Sequence, residues 1–359
     1  MPLRAPFRSS TIWGVERFGC VSCVVALAVA ACGGRTDVER DEVSNPAPAV
    51  PRPPICGPEP RALGPVPSGG FALGPDDVVW RQQTSDPPDY SSLRRLSLVT
   101  REIVELGTRG QADAADAENV YWSTLQGELW AQPLAGGEPR VLFEEPNGLG
   151  WSRLVVAAPY LYFALGGVVR RLRHGGSPQV VADGRTRFSD GRVLGHVLLA
   201  GVDNGQLYWR RSECEEFATG GYGCPAPGVL MRTALDTFAT ETLANPFTDC
   251  ADVEVGGGYL AYCEAKGFDE ALWSWNLATG ERRQLVAPRE HRYGVNIAID
   301  GNYLYFTEGS TDGSLVRVRL AGGEREVLAP TVATGWCPIR VDADCIYWVA
   351  STGLMTMAK

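Results

Sequence analysis

Short apolar runs, each carrying at least one aromatic residue, recur along most of the chain and give it a period. They stand at Val78-Val79-Trp80, Val120-Tyr121-Trp122, Leu161-Tyr162-Phe163, Leu207-Tyr208-Trp209, Leu260-Ala261-Tyr262, Leu304-Tyr305-Phe306 and Ile346-Tyr347-Trp348. The intervals between their last residues are 42, 41, 46, 53, 44 and 42. Each run is too short for a helix, is rich in β-branched and aromatic side chains, and is bounded by Gly, Asn, Asp or Pro, which reads as a buried strand. A period of 40-odd residues matches one four-stranded propeller blade, because a lone blade cannot bury both faces and must stack on its neighbours.

The sixth unit shows the fullest pattern. Asn296 to Asp300 predicts strand A, Gly301-Asn302 a turn, Tyr303 to Thr307 strand B, Ser314 to Leu320 strand C and Glu324 to Ala329 strand D. Strict alternation in Leu315-Val316-Arg317-Val318-Arg319-Leu320 fits a strand with one face buried and the other wet. Glycine doublets at 136–137, 175–176 and 322–323 fall between C and D, where tight hairpins call for positive φ.

The seventh unit stops at Lys359 after three strands. Upstream of the first unit, Glu59 to Pro65 resembles the D strands at Glu138 to Leu142 and Glu324 to Leu328. The expected fold is therefore all-β: a seven-bladed β-propeller of four-stranded antiparallel blades, closed by an N-terminal strand that completes the last blade. The 42 Gly and 25 Pro among 359 residues agree with a turn-rich all-β chain.

The first residues have another purpose. Arg4, Arg8 and Arg17 precede an apolar stretch from Cys20 to Ala31, shorter than the roughly 20 residues that span a bilayer as a helix. It ends in Val29-Ala30-Ala31-Cys32-Gly33, which resembles a bacterial lipobox in which Cys32 is acylated and becomes the mature N-terminus. Ala28-Val29-Ala30 also fits an ordinary signal peptidase, which would yield a soluble secreted form. Residues 1–31 are thus expected to be a signal peptide, residues 32–54 a Pro-rich disordered tether and residues 55–359 the propeller. Gly33, in place of the Asp that often retains lipoproteins at the inner membrane, points to the outer membrane, on its periplasmic or surface face.

Export changes the reading of charge and cysteine. The chain has 33 basic and 42 acidic side chains; loss of Arg4, Arg8, Arg17 and Glu16 with the signal leaves 30 and 41. That acidic balance argues against a nucleic-acid partner. Seven cysteines follow Cys32, so at least one is unpaired within a monomer, the expected state. Cys214 with Cys224 lies inside one long B–C connection. Cys250, expected to begin strand A of unit five, and Cys263, expected to end strand B, come almost opposite each other across a turn near Gly257. Cys337 and Cys345 would be roughly 13 Å apart at ~3.3 Å per residue, beyond a disulfide's reach of about 7 Å. Cys56 enters unit seven from the same end as Cys345, so Cys56–Cys345 is the preferred third pair, with Cys337 free.

The repeats resemble bacterial propeller units of the Tyr-Trp-Thr-Asn or Tyr-Trp-Thr-Asp type, including TolB-like propellers. Val120-Tyr121-Trp122-Ser123, Leu304-Tyr305-Phe306-Thr307-Glu308 and Ile346-Tyr347-Trp348 carry the resemblance, which spans about residues 59 to 359. No unit holds the complete tetrad, and the resemblance implies a fold more than a function.

No catalytic or metal-binding pattern is evident. His174, His196 and His291 fall in three different units, and no nucleophile elbow, Walker loop, dinucleotide fingerprint or EF-hand loop occurs. Ser310 to Gly313 reads as a B–C turn, and Glu144-Glu145 and Glu215-Glu216 as wet loops. Trp151, Phe247, Tyr293 and Trp336 recur shortly before strands A and read as packing between blades. The irregular B–C connections, Gln82 to Ser91 and Arg210 to Pro227, lie on one face and are the candidate binding loops, with Asp89, Tyr90, Phe217 and Tyr222 as contact residues. The expected function is a non-enzymatic envelope scaffold, without a cofactor or metal, binding a protein, peptide or glycan. The alternative is an envelope hydrolase or lyase with an acidic site at the central channel; three or more acids converging there would favour it.

Overall fold

A computed structural model describes the chain from Ile55 onward, apart from residues 68–69, 84–90, 108–111, 125, 146–152, 188–192, 213–214, 217–221, 224–227, 248–252, 267–268, 290–293, 310–311 and 334–337. Cys32, Cys214, Cys224, Cys250, Cys337, Asp89, Tyr90, Phe217, His291, Trp151, Tyr293 and Trp336 lie outside the described residues. Seven antiparallel sheets of four strands form a seven-bladed β-propeller. Blade 1 consists of Phe71–Leu73, Asp77–Gln83, Ser91–Ser97 and Ile103–Gly107, as strands A, B, C and D. In the same order, blade 2 is Ala114–Ala115, Asn119–Ser123, Glu128–Pro133 and Arg140–Glu144, and blade 3 is Val155–Ala157, Tyr160–Leu165, Val168–Arg173 and Gln179–Asp183. Blade 4 is His196–Asp203, Gln206–Ser212, Gly228–Ala234 and Thr240–Phe247, and blade 5 is Val253–Gly256, Tyr259–Lys266, Asp269–Asn276 and Arg282–Arg289. Blade 6 is Gly294–Ile299, Tyr303–Glu308, Asp312–Arg319 and Glu326–Ala333.

Blade 7 takes three strands from the C-terminus, Arg340–Val341, Cys345–Ala350 and Gly353–Ala358, and its fourth, Arg61–Gly64, from the N-terminus. The closing strand pairs Arg61 with Thr356, Ala62 with Met355 and Gly64 with Leu354. Cys56 and Cys345 form a disulfide with Cα atoms 5.9 Å apart, both sulfurs buried beside Phe71, Trp80 and Tyr347 in the layer between blades 7 and 1. Cys263 is also disulfide-bonded. It stands mid-way along strand B rather than at its end, and strand A of blade 5 starts at Val253.

The core is distributed in seven layers, one between each pair of adjacent blades. The recurring aromatic runs supply it: Trp80, Phe163, Trp209, Tyr305, Phe306, Tyr347 and Trp348 are all essentially buried. A fully buried side chain of this size contributes about 2–3 kcal/mol by removal of apolar area from water, so the period seen in the sequence is the period of inter-blade burial.

A second repeated device joins strands A and B. In blade 2, Asp116 Oδ1 accepts the backbone N–H groups of Glu118 and Asn119, each at 2.8 Å, while Oδ2 accepts the Tyr121 hydroxyl at 2.5 Å. Asp300 does the same for Asn302, Tyr303 and Tyr305 in blade 6, and Asp342 for Asp344, Cys345 and Tyr347 in blade 7. One carboxylate thus satisfies a tight turn and locks the tyrosine of the buried aromatic run. Burial tends to raise the Asp300 pKa, but the N–H groups of Asn302 and Tyr303, the Tyr305 hydroxyl and Lys359 outweigh it and hold the carboxyl below its ordinary 3.8. A depressed carboxylate pKa adds stability above the unfolded value and loses it as pH falls through the folded value. Asp300→Ala should therefore cost about 1–2 kcal/mol at neutral pH in urea unfolding, with the deficit shrinking below pH 3.8.

The polar ends of strands shift some expected boundaries. Gln82, Gln83 and Ser91 pair within blade 1, and Arg210 and Arg211 pair with Leu230 and Val229 in blade 4. The blade 4 insertion contains a small ladder in which Glu215 and Glu216 face Gly223 and Tyr222. Asp312 and Gly313 belong to strand C rather than to a turn. Glu145 is no wet-loop residue: it takes a 2.5 Å ion pair from the half-buried Arg170.

Candidate functional site

Strands A line the central channel, and their N-terminal ends open on the face that carries the D–A and B–C connections. The turns joining A to B and C to D make the opposite face. Around a channel cavity of about 290 Å³, one end is apolar, walled by Leu73, Ala157, Val202, Ile299 and Val341. The other end is charged. Asp113 precedes strand A of blade 2, Arg153 comes two residues before that of blade 3, Glu254 is the second residue in blade 5 and Arg340 the first in blade 7.

These groups cross the channel in pairs. Arg153 forms an ion pair with Glu254 and donates to the Val253 carbonyl at 3.1 Å, linking blade 3 to blade 5. Asp113 is partly buried and accepts the Ser123 backbone N–H at 3.0 Å. Burial raises its pKa, the Ser123 N–H and the Arg340 guanidinium pull it back, and it settles at about 6. Such a carboxyl exchanges its proton near neutrality, a property shared by general acids and by buried structural acids. A raised carboxyl pKa penalises the folded state increasingly as pH rises from the unfolded 3.8 to the folded 6. Asp113→Asn should accordingly leave the melting temperature unchanged near pH 4 and raise it above pH 6.

The sequence did not single out this quartet. Its members come from four blades and sit at the least regular part of each unit, so no spacing marks them. Of the expected contact residues, Tyr222 lies in the small ladder of the blade 4 insertion; Asp89, Tyr90 and Phe217 fall outside the described residues. The insertions of blades 1 and 4 both leave from the ends of strands B, on the face where the charged mouth opens. Among the described residues the channel holds two acids, each with an arginine at hand, and no group of three or more His, Cys, Asp or Glu side chains is placed to hold a metal ion. His174 lies in the C–D turn of blade 3, with Nε2 3.5 Å from Glu118, and His196 begins strand A of blade 4.

No protein-family model and no curated protein matches the chain. Solved structures match by fold. An oligogalacturonate lyase in complex with manganese aligns with a TM-score of 0.53 at 14% identity, over 79% of this chain and 86% of that one. A prolyl endopeptidase aligns with a TM-score of 0.50 at 14% identity, over 74% of this chain and 42% of the endopeptidase. BamB from Moraxella catarrhalis aligns with a TM-score of 0.48 at 14% identity, over 80% of this chain and 84% of BamB. At these identities the likeness concerns fold alone.

Proposed function

We propose that this chain is a lipid-anchored envelope protein that acts without catalysis, using its propeller as a rigid scaffold for a protein, peptide or glycan partner. The observation that carries the reading is that the charged channel mouth opens on the same face as the insertions of blades 1 and 4. A partner that engages those insertions would also meet Arg153, Glu254 and Arg340, fixed charges on a rigid ring.

The Cys56–Cys345 disulfide supports an oxidising compartment, as expected after export. Cys345 starts strand B at the A–B turn, so the chain enters the propeller on the turn face, opposite the loops.

Two experiments test the parts separately. Cys32→Ser should move the protein from membrane to soluble fractions, and a fatty-acid probe should label the wild type only; an unlabelled wild type would refute the anchor. Crosslinking capture from intact envelope, with a photoreactive group placed at Arg210 or at Gln82, should recover one partner. Recovery only from groups placed on the D strands would refute the loop-face reading.

A further inference from the structure

A second, roomier cavity lies on the other face. It is a groove of about 790 Å³ between blades 2 and 3, running from Asp342 near the channel to Arg140 and Val141 at the outer rim. Leu142, Tyr160 and Leu172 give it apolar walls. Its inner end is acidic, through Asp116, Glu118 and Asp342.

Among the described residues no lysine or arginine forms an ion pair with these carboxylates. Asp116 and Asp342 accept, among the described residues, from neutral donors, backbone N–H groups and tyrosine hydroxyls. Asp300, which holds the equivalent turn in blade 6, is in contrast paired with Lys359 at 3.2 Å. Glu118 is mostly exposed, with His174 Nε2 3.5 Å away. At the outer end Arg140 is exposed. The groove is therefore a dipole, negative inside and positive at the rim, laid over an apolar floor.

We infer that this groove binds an extended basic amphipathic segment of a partner protein, with leucine-sized side chains on the floor and a lysine or arginine against Glu118 and Asp342. Charge complementarity selects this occupant: an acidic segment would bring like charges onto three carboxylates, which costs affinity and slows encounter. The inference concerns the turn face, so it stands whether or not the loop face finds its own partner.

The test uses the full mature chain in neutral detergent and fluorescence anisotropy with a labelled Lys-Leu-Lys-Leu-Lys-Leu peptide and its Glu-Leu counterpart. The basic peptide should bind and the acidic one should not. Glu118→Lys should weaken binding about tenfold, and Val141→Ser, which trims apolar contact at the rim, about threefold. Glu281→Lys makes the same charge change in the C–D turn of blade 5, away from the groove, and should alter binding by less than about twofold. Melting curves establish that the variants are folded. Equal binding of both peptides, no binding of either, or equal losses from Glu118→Lys and Glu281→Lys would overturn the assignment.

Discussion

Deleting residues 59–65 should lower the melting temperature by roughly 10 °C and make the protein prone to association, the largest effect expected of any short deletion. Three physical losses combine. The ladder from Arg61 to Gly64 disappears, leaving the outer edge of Gly353–Ala358 unpaired and open to other chains. The partly buried Leu63 is withdrawn from the layer that holds Trp80, Tyr347 and Leu354. The strand that carries the chain from blade 7 into blade 1 is also lost, so this junction keeps only the Cys56–Cys345 link and the packing between the two blades. About 4 kcal/mol is a reasonable sum, and for a chain of this size each kcal/mol moves the melting temperature by roughly 2–4 °C. A point variant makes the same test without shortening the chain. Gly353 has φ +147°, and a Cβ there would fall 2.3 Å from the Gly64 carbonyl oxygen. Gly353→Ala should strain the same ladder and reproduce part of the loss. Unchanged melting in both variants would show that the N-terminal strand does not close the ring.

Closure was legible before any coordinates because two truncated units, one at each end of the chain, complement each other. The aromatic period was legible because inter-blade layers bury the same strand position every 40-odd residues, and burial leaves a compositional mark. The turn device carried a mark too: Asp116 with Tyr121, Asp300 with Tyr305 and Asp342 with Tyr347 share one spacing. It is easily passed over because Gly256 and Ala157 occupy the corresponding sites in blades 5 and 3, so the spacing does not run through all units. Strand ends were read short wherever polar residues continue a ladder, as at Gln82, Gln83, Arg210 and Arg211, since the pattern of burial stops before the hydrogen bonding does. The channel quartet was illegible for a different reason. Asp113, Arg153, Glu254 and Arg340 are brought together only by ring symmetry, and the segments that precede strands A vary in length from unit to unit.

Replacing Cys56 by Ser should cost about 2–5 kcal/mol, and the whole cost should vanish when the comparison is made under reducing conditions. The reasoning starts from topology. The disulfide spans 289 residues of sequence, and it joins the first described part of the chain to the last blade. In the unfolded chain such a link forbids a large set of extended conformations; in the folded chain it seals the one inter-blade layer not made by consecutive sequence. Its neighbours add local order: the Ala358 N–H donates to the Gly57 carbonyl at 2.7 Å, the Lys359 N–H to the Asp344 carbonyl at 3.1 Å, and Arg101 reaches the Ile55 carbonyl at 3.1 Å. Because both half-cystines act through one bond, Cys56→Ser, Cys345→Ser and the double variant should show nearly equal losses in urea unfolding rather than additive ones. Equal stability of wild type with and without reductant would mean that the hydrogen-bonded ladder alone holds the ring. A larger loss in Cys345→Ser than in Cys56→Ser would instead locate the cost in packing beside Phe71 and Trp80.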